Sequence, residues 1–146
     1  MRLRNLAMPI LLGVIMMTNG SEASPLDEFR WKSRLLVVVA PAGDAAAEAQ
    51  RRIYESSDKG MSERSIILTE ALDDGDRSRR IRSRLSADGT RFQVFLIGKD
   101  GHKAVSSDKP LSADDLFARV DAMAHAAGRD AARTIDAQRA NDRYHQ

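Results

Sequence analysis

Leu35-Leu-Val-Val-Val-Ala-Pro-Ala-Gly-Asp44 is the stretch on which the fold turns. Leu35–Ala40 is apolar without a polar interruption. A strand apolar on both faces belongs in the middle of a sheet covered on both sides. Pro41 has no N–H for the ladder and closes it. Gly43 frees the turn, and Asp44 is a good N-cap. The stretch therefore predicts a central strand, a tight turn and a helix from Ala45 to Ser57. In open α/β sheets, ligands gather at such a turn. This one offers no thiol, no histidine and no glycine-rich phosphate cradle.

Downstream, Ala46, Ala49, Ile53 and Tyr54 form a narrow apolar helical stripe, with Glu48, Gln50, Arg51, Arg52 and Glu55 mostly outside it. Lys59 and Gly60 read as its end. Ser65–Leu72 carries Ile66, Ile67 and Leu68 and predicts a second strand. Strand, crossover helix and strand make a right-handed parallel βαβ unit. Asp73-Asp74-Gly75-Asp76 reads as a turn that caps the next helix; its spacing lacks the alternating ligands and terminal glutamate of a helix–loop–helix calcium site. Arg77–Leu85 predicts a short helix on which Ile81 and Leu85 reach the core. Arg91–Ile97 predicts a third strand, with Phe92, Val94 and Leu96 on one face and Phe95 and Ile97 on the other. Gly98-Lys-Asp-Gly101 turns it into His102–Ser106, a hairpin. Ser112 and Asp115 approximate a capping box for a last helix with Leu116, Phe117, Val120 and Met123 on its apolar face. Gly128 reads as its stop. Residues 129–146 have Ile135 as their only aliphatic residue larger than alanine, and read as a polar C-terminal tail.

Upstream of the central strand, Ser24–Ser33 is a polar entry segment with Leu26, Phe29 and Trp31 as anchors. Trp31 is the single tryptophan, between Arg30 and Lys32. Large aromatics usually anchor cores, so the favoured reading has it covering the first strand; a binding platform is the alternative. Before that, Arg2 and Arg4 precede the apolar run Leu6–Met17, and Ser21-Glu-Ala23 supplies small residues before a cut. Residues 1–23 thus predict a cleaved secretory signal, and residues 24–128 the folded domain. The run is shorter than the roughly 20 apolar residues of a membrane span. Export to the periplasm or beyond is the expectation, with no membrane span in the mature chain.

Composition narrows the chemistry. The chain has 146 residues, no cysteine and a formal net charge of +2. Thiol exchange, cysteine nucleophiles and thiolate metal sites need a sulfur that the chain lacks. His102, His125 and His145 show no metal-site spacing, and no cofactor motif is present. The conspicuous charge cluster is Arg77, Arg79, Arg80, Arg82 and Arg84. Guanidinium forks suit phosphate and carboxylate. Charge runs more often simply face water, and the acids at 73, 74 and 76 partly neutralise this one. A nucleic acid is not expected: aromatics are few and no groove-reading motif appears.

The predicted order β-α-β-α-β-β-α is that of a thioredoxin-like α/β sandwich with a mixed four-stranded sheet. The chain also resembles one family within that architecture. Pro25-Leu-Asp-Glu-Phe-Arg-Trp-Lys32 before the apolar strand, Phe95-Leu-Ile-Gly-Lys-Asp-Gly101, and Leu116-Phe with Asp121-Ala-Met123 are similar to the thioredoxin-like domain of unknown function 4174. The resemblance suggests a bacterial exported member. It implies kinship with domains of secreted matrix proteins, among them coiled-coil domain-containing protein 80 and the sushi-repeat-containing proteins. It implies a non-redox scaffold and carries over no catalytic residues. Pro41–Ala45 stands where thioredoxins place two cysteines, and Thr90-Arg-Phe92 where they place a cis-proline.

Three functions compete on this reading. One is a non-catalytic binding domain whose contacts to a protein or an anionic envelope component are drawn from Arg30, Trp31, Lys32 and the arginine cluster. Another is an enzyme using non-thiol groups near Asp44. The third is a structural or stress-related envelope protein. Whether a concave pocket opens between Trp31, Pro41–Asp44 and Arg91 is a structural check on these readings.

Overall fold

The computed structural model describes residues 23–143; the expected signal segment up to Glu22 and the last three residues lie outside them. A 3-10 turn at Asp27–Phe29 leads into β1, Arg34–Val39. Then come α1 (Ala45–Ser56), α2 (Asp58–Glu63), β2 (Ile66–Ala71) and α3 (Asp76–Leu85). The hairpin β3 (Gln93–Ile97) and β4 (Lys103–Ser107) precedes α4, Ala113–Arg143. The sheet order is β2-β1-β3-β4. β1 runs parallel to β2 and antiparallel to β3, and β4 is antiparallel to β3. This is the thioredoxin arrangement, with β1 and β3 central as their patterning predicts.

Alternation sorts the core into two layers. Leu36, Val38 and Ala40 of β1 join Val94 and Leu96 of β3 against Ala47, Met61, Leu116 and Val120 of the helices α1, α2 and α4. Leu35, Val37 and Val39 join Phe95 and Ile97 on the other face, beneath Ile81 and Leu85 of α3 and Leu26 of the entry turn. Leu36 faces Leu96 and Val38 faces Val94 across the antiparallel pair, so the register keeps each set on its own side. Burying each Leu or Val contributes about 1.5–3 kcal/mol. Both faces being covered is why β1 carries no polar residue after Arg34.

Three expectations are corrected. The chain does not leave helix at Lys59–Gly60: after a break at Ser57, α2 carries Met61 into the core. Gly60 lies inside α2 because Phe117 rests on it; a Cβ there would meet Phe117 Cζ at 2.4 Å. Gln50, which the patterning sets mostly outside the α1 stripe, is wholly buried. Its amide is satisfied there, donating to the Leu111 carbonyl at 3.0 Å and accepting the Leu111 N–H at 2.7 Å. Finally, α4 does not stop at Gly128 but runs on as one helix of 31 residues. Nothing crowds Gly128, and the following alanines favour helix. Asp130–Arg133 and Asp136–Arg139 pair one turn apart along it. Its apolar contacts with the sheet layer come from Leu116, Phe117, Val120 and Met123.

α2 and α4 are joined by a side-chain clamp. The Arg64 guanidinium donates to both oxygens of Asp121, at 2.9 and 3.0 Å, and stacks 4.3 Å from the Phe117 ring centre. No helix among the described residues is long and apolar enough to cross a membrane.

Candidate functional site

β1 has two ends about 20 Å apart at some 3.3 Å per residue, and the candidate residues divide between them. At its C-terminal end Asp44 caps α1. One carboxylate oxygen accepts the N–H groups of Ala46 at 2.9 Å and Ala47 at 3.0 Å. Beside this turn a crevice of about 540 Å3 opens between the end of β1 (Ala40, Pro41, Ala42), the end of β2 (Leu72, Asp73, Asp74) and the approach to β3 (Asp88, Gly89, Thr90). This is the place where an α/β sheet presents a ligand site.

The charged groups of that crevice are committed to holding its walls. The Arg82 side chain is only 13% exposed. It donates to the Asp73 carbonyl at 2.7 Å and lies 3.6 Å from the Asp74 carboxylate. It also passes under Gly89, whose φ of +80° and closeness to Arg82 Cδ leave no room for a Cβ. Arg82 thus ties the turn before α3 to the loop before β3. Asp73 is held below the ordinary carboxylate range, first by the Ser78 hydroxyl and then by the Gly75 N–H. It thereby fixes the turn that leads into α3, whose cap residue Gly75 has no side chain of its own. Asp88 is likewise held low by the backbone N–H and then the hydroxyl of Thr90. Among the described residues no group of three or more His, Asp or Glu is placed to hold a metal ion.

The other end of β1 is built differently. Trp31 is 73% exposed, so the reading of it as a core anchor is overturned. Leu26 and Phe29 fill that layer instead. The backbone explains the difference. Trp31 sits at φ +66°, in the left-handed region, with its N–H on the Lys99 carbonyl at 2.6 Å. That tight link to the β3–β4 turn sets the ring outward. Arg30 pairs with Asp27 at 2.9 Å and lies against Gly101, whose φ of +84° and contact with Arg30 Nε require a glycine. Arg84 reaches the Gly101 carbonyl at 3.4 Å from the end of α3. Lys103 donates to the Leu85 carbonyl at 3.3 Å, with its ammonium over the Phe95 ring. Lys32 is exposed next to Trp31.

The fold therefore brings Arg30, Trp31, Lys32 and Arg84 to one end and leaves Asp44 and Arg82 at the other. Arg77, Arg79 and Arg80 are exposed along α3, where Arg79 pairs with Asp76. The check for a pocket joining Trp31 to Pro41–Asp44 has a negative answer among the described residues, because the whole of β1 separates them. The arginine run divides because a helix turns about 100° per residue: Arg82 and Arg84, two apart, leave α3 in different directions. Lys99, Gly101 and Asp27 also shape the Trp31 end, and sequence reasoning passed over them. The signal available was the pair of glycines around Lys99-Asp100, which marks a turn able to receive another chain segment closely.

Comparison with known proteins agrees with the topology. A solved structure of the reduced 2-Cys peroxiredoxin of Plasmodium vivax is similar with a TM-score of 0.52 and 14% identity, covering 70% of this chain and 84% of that one. A second, described as the structure of a malarial protein, has a TM-score of 0.47 and 16% identity, covering 61% of this chain and 94% of that one. At such identity the first likeness is one of fold alone. No curated protein matches the sequence. The family model for the domain of unknown function DUF4174 matches residues 25–126, and the chain belongs to that family.

Proposed function

We propose that the protein is an exported, non-catalytic module that binds an anionic partner, a protein or an envelope component, through the Trp31 end of its sheet. Trp31 is the observation that carries the reading. A non-glycine residue at positive φ costs about 1–3 kcal/mol and persists where surroundings impose it. Here that cost holds a large ring in water rather than in the core. Exposed tryptophans are strongly enriched among residues that dominate binding energies. Arg30, Lys32, Lys99, Arg84 and Lys103 gather at the same end and favour a negative partner. Export is supported by the Arg2–Ala23 pattern. Catalysis at Asp44 finds less support, because its carboxylate is occupied by the cap of α1.

Trp31 is the only tryptophan, so its fluorescence reports this face alone. Titration with polyglutamate should shift the emission to the blue, with an affinity that falls as salt rises. Lys32→Glu should weaken the interaction while leaving the unfolding midpoint unchanged. If neither polyglutamate nor a native envelope extract moves the emission, the Trp31 face is not the contact.

A further inference from the structure

β4 is the outermost strand of the sheet and is paired with β3 on one side only. An edge strand presents a row of unpaired N–H and C=O groups that can template another strand. Along β4 lies a groove of about 210 Å3 lined by Val105, Leu111 and Leu116, with Asp115 and Arg119 of α4 on its rim. That volume is below the roughly 300–1,000 Å3 usual for small-molecule sites. An apolar floor of this size suits a single aliphatic side chain. One wall is fixed in advance, since buried Gln50 clasps both the N–H and the C=O of Leu111.

We propose that the β4 edge and this groove receive an extended peptide segment of a partner protein. The segment adds a fifth strand by main-chain hydrogen bonds and seats an aliphatic side chain against Val105, Leu111 and Leu116. An extended chain is the occupant that fits both features. Its backbone matches the open edge, and alternate side chains fall on the α4 side. The rim carries one carboxylate and one guanidinium, which complements a basic and an acidic residue two positions either side of the aliphatic one. Lys103 and the bulge at Ala104, where the register shifts between Leu96 and Ile97, blunt the head of the strand, so the receptive stretch is Val105–Ser107. The proposal does not depend on the Trp31 face.

The test is an NMR titration of the isotope-labelled chain with the blocked peptide acetyl-Thr-Lys-Thr-Leu-Thr-Glu-Thr-amide. Shifts should map to β4, Leu111 and Arg119, and exchange should slow at the outward amides within Val105–Ser107. Methylating the peptide nitrogens that face β4 should weaken binding by about tenfold or more, as expected when backbone hydrogen bonds are lost. Val105→Thr should weaken it with the remaining spectrum unchanged. Arg119→Glu, on an exposed position that cannot unfold the core, should weaken it too. The proposal is overturned if β4 is unmoved at about 1 mM peptide, or if the methylated peptide binds equally well. It is also overturned if β4 shifts grow with protein concentration alone, because a second copy then occupies the edge.

Discussion

At Gly60 the helical layer packs tightly on itself, with the Phe117 ring of α4 against α2. Helix propensity alone says that alanine there gains up to about 1 kcal/mol. The Phe117 ring, 2.4 Å from where that Cβ would stand and backed by Arg64, argues the other way. Overpacking a filled site costs about 1–3 kcal/mol, so the clash wins. Gly60→Ala should lower the unfolding free energy measured in urea, and adding Phe117→Leu should recover part of the loss. Residue-scale features of this kind were poorly legible in the sequence. Gly60 read as a helix stop and Trp31 as a core anchor, because both readings rest on average preferences. What decided each was a partner distant in sequence: Phe117 for the one, the Lys99 carbonyl for the other.

At the scale of elements the sequence was far more informative. The strands were legible because β1 and β3 are buried on both faces and their side chains alternate between two real layers. The end of α4 was not, since nothing in the tertiary structure stops a helix that has already left the core. What fastens α4 to α2 is the Arg64–Asp121 pair. Asp121 is held below the ordinary carboxylate range, chiefly by its hydrogen bond to Arg64. A depressed carboxyl contributes stability above its unfolded value and loses it as pH falls through the folded one. Asp121→Asn should therefore lower Tm near neutral pH. The gap from the parent should close as the pH drops below about 4.

For the whole molecule, the position of the crevice followed from the sheet order, but its contents did not, and the Trp31 end was not foreseen. The crevice at the C-terminal end of β1 was foreseeable from Leu35–Asp44. That Arg82 would be drawn into its wall, while Arg84 served the opposite end, depends on helix phase and loop closure. The described residues beyond Gly128 are almost entirely exposed, and their ion pairs lie at 3.9 and 4.0 Å in water. Such pairs contribute little. Deleting residues 129–146 should change Tm by no more than about 2 °C in a thermal scan.

The unbroken course of α4 has a consequence for how the protein moves through solution. From Gly128 to Arg143 the helix extends about 24 Å at 1.5 Å per residue, past the last residue of α4 that packs on the sheet layer, Met123. A globule of this length has a radius of gyration of about 14 Å. Small-angle scattering should give a larger value with an asymmetric distance distribution. A rod of this kind drags more solvent than its mass implies, so even a single copy should elute from a sizing column earlier than a globule of equal mass.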